Sequence, residues 1–189
     1  MNDFGRAYFD ALYEANPDPW RFRTSRYERR KYARTLDALP RTRYSHLLEL
    51  GCSIGELTRH LALRADRVTA VDVSPIALDA ARKTCEALPN VRFVQALLPD
   101  GEWDGDYDAV VLSEILYYLQ PHAIATLARR IASLAPNADI VLVHWTGETD
   151  YPLGGDEAVA SFIAHCPSHS VDMHERLPEY RIERLRVSP

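Results

Sequence analysis

An alternation of short aliphatic segments with longer amphipathic ones begins at residue 44 and constrains the fold more than any other feature. Five segments rich in aliphatic and β-branched residues predict strands: His46–Leu50, Arg67–Asp72, Val91–Gln95, Tyr107–Leu112 and Asp139–Trp145. Three segments between them predict helices from their apolar spacing: Gly55–Leu63, Pro75–Ala87 and Pro121–Leu134. Strands that alternate with helices in this way predict an α/β fold, a parallel sheet covered by helices.

The flanking segments predict a helical cap ahead of the sheet and a hairpin after it. The cap consists of two helical segments, Phe4–Ala15 and Ser25–Leu39, joined by the proline-rich turn Asn16–Trp20. After the fifth strand come a short helix and two strand-like segments: Glu157–Ala164, Ser168–Glu175 and Tyr180–Val187. The last two segments are expected to pair as an antiparallel hairpin that closes the sheet.

The size and composition of the chain fit one domain spanning residues 1–189, with the cap at 1–43 and the sheet core at 44–189. No apolar run approaches the roughly 20 residues of a membrane span, and the first residues do not form a signal peptide. We therefore expect a cytoplasmic protein that does not bind membranes. The three cysteines are far apart and indicate neither disulfides nor a metal site. The sequence does not indicate an oligomeric state.

Positive charge is concentrated in the cap, although the net charge is −5. Nine of the 22 basic residues lie between Arg21 and Arg43, where only Glu28 and Asp37 are acidic. Such a segment either meets an anionic partner or forms a solvated helix face. Nucleic acid is not an expected partner, because the overall pI of about 5.8 lacks the required basic footprint.

The stretch Leu47–Gly55, LLELGCSIG, leads from the first strand into a turn with two glycines. At the carboxyl edge of a parallel sheet such a turn offers free backbone N–H groups and close access to a ligand. Asp72 ends the second strand 21 residues after Gly51, where its carboxylate can accept hydrogen bonds from both hydroxyls of a ribose. The pattern predicts a nucleoside-containing ligand.

The details of the turn favour S-adenosylmethionine over NAD. A dinucleotide site typically has the pattern Gly-x-Gly-x-x-Gly, whereas this chain has Gly51-x-x-x-Gly55. Glu49, just before the turn, would repel a phosphate but attract the cationic amino acid end of S-adenosylmethionine.

Three stretches resemble class I S-adenosylmethionine-dependent methyltransferases: LLELGCSIG, VTAVDVSPIALDAAR and YDAVVLSEILYYL. The resemblance implies a Rossmann-like three-layer sandwich and S-adenosylmethionine as cofactor. Two further stretches, DPWRFRTSRYERRKY and SEILYYL, are similar to the nodulation protein S group, which N-methylates an amino sugar.

The resemblance also implies the residues that bind the cofactor. Asp72 would hold the ribose and Val73 would contact the adenine. The remaining contacts are implied for Gly51, Cys52, Ser53, Gly55, Ala96, Leu97 and Ser113. The family often has an Asp after the third strand, whereas this chain offers only backbone there until Asp100.

Two assignments in the cap have competing interpretations. Trp20 is either a packing anchor or a cover over the cofactor, and Trp20, Tyr27 or Tyr117 could contact the sulfonium through an aromatic face. Lys31 and Arg29 are candidates to bind the cofactor carboxylate.

The catalytic candidates are Glu114, Tyr117 and His144, which lie near the carboxyl ends of the fourth and fifth strands. Glu114 is the first choice for orienting or deprotonating the acceptor, and His144 is either a second base or a buried strand residue. The loop 146–156 is rich in acids and glycine and could border the acceptor through Asp150 and Tyr151.

The sequence thus predicts a methyltransferase for a small polar acceptor, with N-methylation of an amino group favoured. The alternatives are O-methylation of a hydroxyl and a regulatory or subunit protein that binds the cofactor without turnover.

Overall fold

The computed structural model describes residues 4–187, so the first three and last two residues of the predicted domain lie outside it. The helices are α1 (Arg6–Ala15), α2 (Arg26–Ala38), α3 (Thr58–Leu61), α4 (Pro75–Thr84), α5 (Pro121–Leu134) and α6 (Gly155–Ala164). The strands are β1 (Tyr44–Leu50), β2 (Ala65–Asp72), β3 (Val91–Gln95), β4 (Ala109–Ser113), β5 (Asp139–Trp145), β6 (His169–Arg176) and β7 (Tyr180–Val187). Short 3-10 turns cover Ala62–Arg64 and Leu116–Tyr118.

The seven strands form one sheet in the order β3-β2-β1-β4-β5-β7-β6. The first five strands are parallel, while β7 runs antiparallel to both β5 and β6. This topology confirms the predicted parallel sheet with a C-terminal hairpin.

The largest difference from the sequence prediction concerns the helix expected at Gly55–Leu63, which is wrong at its start. Only Thr58–Leu61 is α-helical there, and a 3-10 turn follows it. The helix begins late because Gly55 adopts φ +81°, a left-handed conformation outside the helical range.

Both faces of the sheet are covered by apolar side chains, which makes three layers. On one face, Leu48, Leu112 and Leu142 pack with residues of α5 and α6 such as Ile124 and Phe162. The other face holds Leu47, Val111 and Val141 together with residues of α2, α3 and α4. The burial of both faces explains why the central strands are almost entirely apolar.

The cap helices lie against the sheet at the end where the glycine turn is located. Phe9 and Tyr13 of α1 pack on Ile54 and Ala77. The Tyr13 hydroxyl lies 2.6 Å from the Ser53 hydroxyl. The α1 helix is thereby fixed against the loops that follow β1 and β2. Among residues 4–187, no helix has both the length and the apolar character needed to cross a membrane.

Candidate active site

A cavity of about 380 Å³ lies between the cap and the carboxyl ends of β1, β2 and β4. Cap residues form one wall and include Phe9, Tyr13, Trp20, Tyr27, Glu28 and Lys31. The opposite wall is formed by the loops after the strands and includes Gly51, Ser53, Asp72, Ser113, Glu114 and Tyr117. The cavity is therefore enclosed by both parts of the chain, and its walls include many of the residues that the sequence singled out.

The glycine turn needs both of its glycines, but for different reasons. Gly51 and Gly55 both have φ +81°, which L side chains rarely adopt. A Cβ on Gly51 would lie 3.2 Å from the Cβ of Ile115, in the cavity wall. A Cβ on Gly55 would lie 3.0 Å from the Cα of Ala81 on α4, and Gly55 does not line the cavity. Gly51 thus allows Ile115 to pack closely in the cavity wall, while Gly55 allows α4 to pack closely.

Asp72 lies in the cavity wall with both carboxylate oxygens already used by backbone donors. The N–H of Ser53 donates to one oxygen at 2.8 Å, and the N–H of Ser74 donates to the other at 2.9 Å. Burial raises its pKa above the ordinary value, and the backbone N–H donors oppose this effect. An ionised carboxylate accepts about four hydrogen bonds, so Asp72 retains capacity for ribose hydroxyls.

Glu49 is a buried carboxyl group in the same cavity wall, and one of its oxygens is unused. Its side chain lines the cavity, is 1% exposed, and has no hydrogen-bond partner for Oε2 among residues 4–187. Burial raises the pKa of Glu49 to about 8. Leaving such a group unsatisfied is costly, so this position fits the cationic end of a ligand.

Lys31, a candidate to bind the cofactor carboxylate, lies at the centre of an ionic cluster and is already paired with two carboxylates. Its Nζ lies 2.7 Å from Oε1 of Glu114 and 3.1 Å from the carboxylate of Glu28. Burial would lower the Lys31 pKa, but the two carboxylates outweigh this effect and raise it. Arg29, the other candidate for that role, is exposed and is not among the residues that line the cavity.

Glu114 has a strained backbone and a well-satisfied carboxylate. Its φ is +57°, a conformation that costs a non-glycine residue about 1–3 kcal/mol unless its surroundings impose it. Besides Lys31, the hydroxyl of Tyr117 donates to Oε2 at 2.7 Å and the N–H of Trp145 donates at 2.8 Å. Burial would raise the Glu114 pKa, but the nearby ammonium of Lys31 and these donors lower it below the ordinary value.

His144 lies behind the cavity wall instead of lining it. The side chain is fully buried, and its Nε2 accepts a hydrogen bond from the N–H of Leu116 at 3.1 Å. Burial lowers the His144 pKa to about 4, so the imidazole is neutral near pH 7. The structure therefore places His144 where it supports the 3-10 turn after β4, packed behind Tyr117 of the cavity wall.

The structure brings most of the other predicted residues to the cavity. Those that line it are Trp20, Cys52, Ser53, Val73, Ala96, Leu97, Ser113 and Tyr117. Trp20 stacks on Phe22 at 5.5 Å, as a packing anchor would, and it also contributes to the cavity wall. Tyr151 stacks on Tyr117 at 5.3 Å and lines the cavity, whereas Asp150 does not.

The sequence analysis missed several residues of the cap wall, and Glu28 is the most informative. Its side chain is 6% exposed and touches the Lys31 cluster. The available signal was its position three residues before Lys31, where the two side chains share a helix face. Tyr13 and Phe9 were also missed, because their contact with the loops depends on tertiary packing.

This fold and site define the class of the protein. The chain has a seven-stranded sheet with an antiparallel β7, a glycine turn after β1 and an acid at the end of β2. These are the features of the class I S-adenosylmethionine-dependent methyltransferase fold. The family model of nodulation protein S (NodS) matches residues 12–145. The chain belongs to the nodulation protein S family.

Individual relatives and solved structures agree with this assignment. Nodulation protein S of Bradyrhizobium diazoefficiens is 31% identical over 127 residues, 66% of this chain and 61% of that protein. The chain thus spans less than two thirds of the length of this relative, and 55% of the Rhizobium tropici protein.

Two solved structures are similar over most of the chain. The N-methyltransferase NodS from Bradyrhizobium japonicum, in complex with S-adenosyl-L-homocysteine, has a TM-score of 0.84 at 20% identity and covers 97% of this chain and 98% of its own. A protein of the methyltransferase fold from Pseudomonas syringae is 34% identical with a TM-score of 0.73, covering 86% of this chain and 99% of its own.

Proposed function

We propose that this protein transfers a methyl group from S-adenosylmethionine to an amino group of a small polar acceptor, with an amino sugar as the leading candidate. One observation carries the proposal. A single cavity contains both a nucleoside-type site at Gly51 and Asp72 and a buried ionic cluster at Lys31. Membership of the nodulation protein S family and the named N-methyltransferase of the same fold support it.

The residues at the sheet edge fit the cofactor. Asp72 would accept hydrogen bonds from the ribose hydroxyls. The ligand would lie against the backbone at Gly51. The unused oxygen of Glu49 would receive the ammonium of the amino acid end. When bound, S-adenosylmethionine supplies an activated methyl group on a positively charged sulfur.

The chain contributes enclosure and orientation. The cap closes the cavity with aromatic side chains, among them Phe9, Trp20 and Tyr27. Holding two reactants in one orientation corresponds to an effective concentration of one reactant near the other of about 10⁵–10⁸ M. No covalent catalyst is therefore required. We call the part of the cavity around the Lys31 cluster the acceptor end. Its side chains then determine which nucleophile is accepted.

The charge of the acceptor end favours an amine over a hydroxyl. Glu28 and Glu114 provide two carboxylates, and Lys31 provides one ammonium between them. With both acids ionised the cluster carries one net negative charge, which attracts a cationic ammonium and gives no advantage to a neutral hydroxyl.

Binding and transfer measurements test the proposal in sequence. Calorimetry should show binding of S-adenosylmethionine and S-adenosylhomocysteine but not of NAD. Methyl transfer should then occur to chitosan oligosaccharides, which carry free amines, and not to matched chitin oligosaccharides, in which the amines are acetylated. Binding without transfer to any amine or hydroxyl acceptor would favour a non-catalytic protein, and equal transfer to both sugars would favour O-methylation.

A further inference from the structure

We propose that Glu28 is the catalytic base of the reaction, the group that takes a proton from the acceptor ammonium, while Glu114 anchors and orients the acceptor. This inference rests on the proposed transfer to an amine. It replaces Glu114, the first choice from the sequence for this role, with an acid that the sequence analysis did not consider.

The position of Glu28 at the start of α2 predicts a structural role that its side chain does not perform. Ser25 caps α2, and its hydroxyl accepts a hydrogen bond from the N–H of Glu28 at 3.2 Å. In a capping box the carboxylate of Glu28 would reach back to the N–H of Ser25. Here that N–H donates to the carbonyl of Arg21 at 2.9 Å instead. The carboxylate is therefore not needed for capping.

The carboxylate of Glu28 turns inward to the cavity. It is 6% exposed and lines the cavity wall. Lys31 donates to Oε1, while Oε2 has no hydrogen-bond partner in the described part of the chain, although it lies 3.1 Å from the same ammonium. Glu28 thus lies in the cavity wall and keeps one buried oxygen that no hydrogen bond within residues 4–187 uses, which leaves this oxygen free to take a proton.

Glu114 lacks this freedom. Its Oε1 holds Lys31, and its Oε2 already accepts hydrogen bonds from Tyr117 and Trp145. These donors stabilise the ionised form, whereas burial favours the protonated form of Glu28 and raises its pKa. Of the two acids, Glu28 is the better proton acceptor and Glu114 is the more permanent anion.

The charged and titratable groups around Glu28 come from two elements. Lys31, Tyr27 and Tyr32 face it from its own helix, and Glu114 faces it from the loop after β4. Burial strongly raises the pKa of both tyrosines, so they stay neutral. The groups in this set that can carry charge in the neutral range are therefore the two acids and Lys31.

The proposed step balances in protons and electrons. The acceptor ammonium gives one proton to the carboxylate of Glu28, and the freed nitrogen lone pair forms the C–N bond as the C–S bond breaks. The electron pair of that bond remains on sulfur, which becomes a neutral thioether. The product leaves as a methylated ammonium, and Glu28 later loses its proton to water.

The test compares Glu28→Gln with wild type and with Glu86→Gln, the same substitution at an exposed position in the turn after α4. With chitosan oligosaccharides near neutral pH, kcat of Glu28→Gln should fall about 100-fold or more, as expected for loss of a catalytic base. The deficit should shrink as the pH rises, because solution then supplies the unprotonated amine. Affinity for S-adenosylhomocysteine and the rate of Glu86→Gln should remain at wild-type values.

A second measurement does not depend on turnover. In protein labelled with ¹³C at glutamate carboxyl groups, the Glu28 resonance is identified by its absence in Glu28→Gln, or by its loss in Glu28→Asp if the first variant does not fold. Adding chitosan oligosaccharide to the wild-type complex with S-adenosylhomocysteine should shift this resonance. Glu28→Asp, which keeps the acid, should recover part of the rate.

The outcomes separate this inference from the proposed function. Two results would overturn the role of Glu28 alone. The first is transfer by wild type together with an unchanged rate and pH profile in Glu28→Gln. The second is a Glu28 resonance that does not shift when the oligosaccharide is added. Absence of transfer by wild type to any amine would overturn both.

Discussion

The ammonium of Lys31 lies 2.7 Å from Oε1 of Glu114 and joins the cap helix α2 to the loop after β4. The two residues are 83 positions apart in the chain. This ion pair is almost fully buried, with side-chain exposures of 4% for Lys31 and 18% for Glu114. The contact makes the cap part of the site, and the stability of the fold should depend on it.

Replacing Lys31 with methionine should destabilise the protein by about 3–5 kcal/mol, because Glu114 and Glu28 would remain buried without a positive partner. Urea denaturation measures this difference. The double variant Lys31→Met/Glu114→Gln removes one of the two stranded charges and should recover part of the loss. If the two single substitutions are instead additive in the double variant, the ion pair has no coupling energy.

Replacing Asp72 with alanine should weaken the binding of S-adenosylhomocysteine by roughly ten- to a hundredfold, since each hydrogen bond to a charged group contributes about 1.5–3 kcal/mol. Calorimetric titration measures the Kd. The matched control is Asp79→Ala, an exposed position on α4. Because Asp72 also accepts from the N–H groups of Ser53 and Ser74, thermal unfolding should confirm that the variant is folded at the titration temperature. An unchanged Kd would place the ribose elsewhere.

Glu49 should make the folded state less stable as the pH rises. Its pKa in the folded protein is about 8, above the ordinary value of 4.5, so the folded state holds an extra proton between these two values. The contribution is therefore fully present below about pH 4.5 and is lost through about pH 8, at up to 1.4 kcal/mol per pH unit. Glu49→Gln should gain stability relative to wild type over this range in denaturant titrations. A constant difference at all pH values would mean that folding does not shift the Glu49 pKa.

His144→Ala should act on stability more than on the proton transfer step. Loss of the imidazole leaves the N–H of Leu116 without its acceptor, which costs about 1–3 kcal/mol. Because the His144 pKa is about 4, the wild-type rate should show no step from this residue between about pH 6 and pH 8. Identical pH–rate profiles for the variant and wild type are expected. A step that disappears with His144 would return this residue to the mechanism.

The sheet could be predicted because its strands carry strong local patterns. The bounds of β3, β5 and β7, as well as those of α5, match the sequence prediction, since aliphatic runs or amphipathic spacing define each of these elements. The segment after β1 could not be predicted equally well. Its glycines adopt left-handed conformations that interrupt the helical pattern, so α3 begins at Thr58.

The site was predicted best where a residue's role depends on its place at the edge of the sheet. Gly51 and Asp72 follow directly from the ends of β1 and β2. The partners of Lys31 and Glu28 depend on how α2 packs against a loop far away in the sequence, which no local pattern encodes. His144 lies behind the cavity wall because of the direction in which its side chain leaves β5. The sequence alone did not distinguish this direction from one toward the cavity.

The central claim is transfer of a methyl group to nitrogen, and isotope labelling tests it most directly. The enzyme is incubated with S-adenosylmethionine carrying a deuterated methyl group and with chitosan oligosaccharides, and tandem mass spectrometry locates the label. We predict that the labelled methyl group is found on the amine nitrogen of the sugar. A label on a sugar oxygen, or no label under conditions in which S-adenosylmethionine binds, would contradict the account.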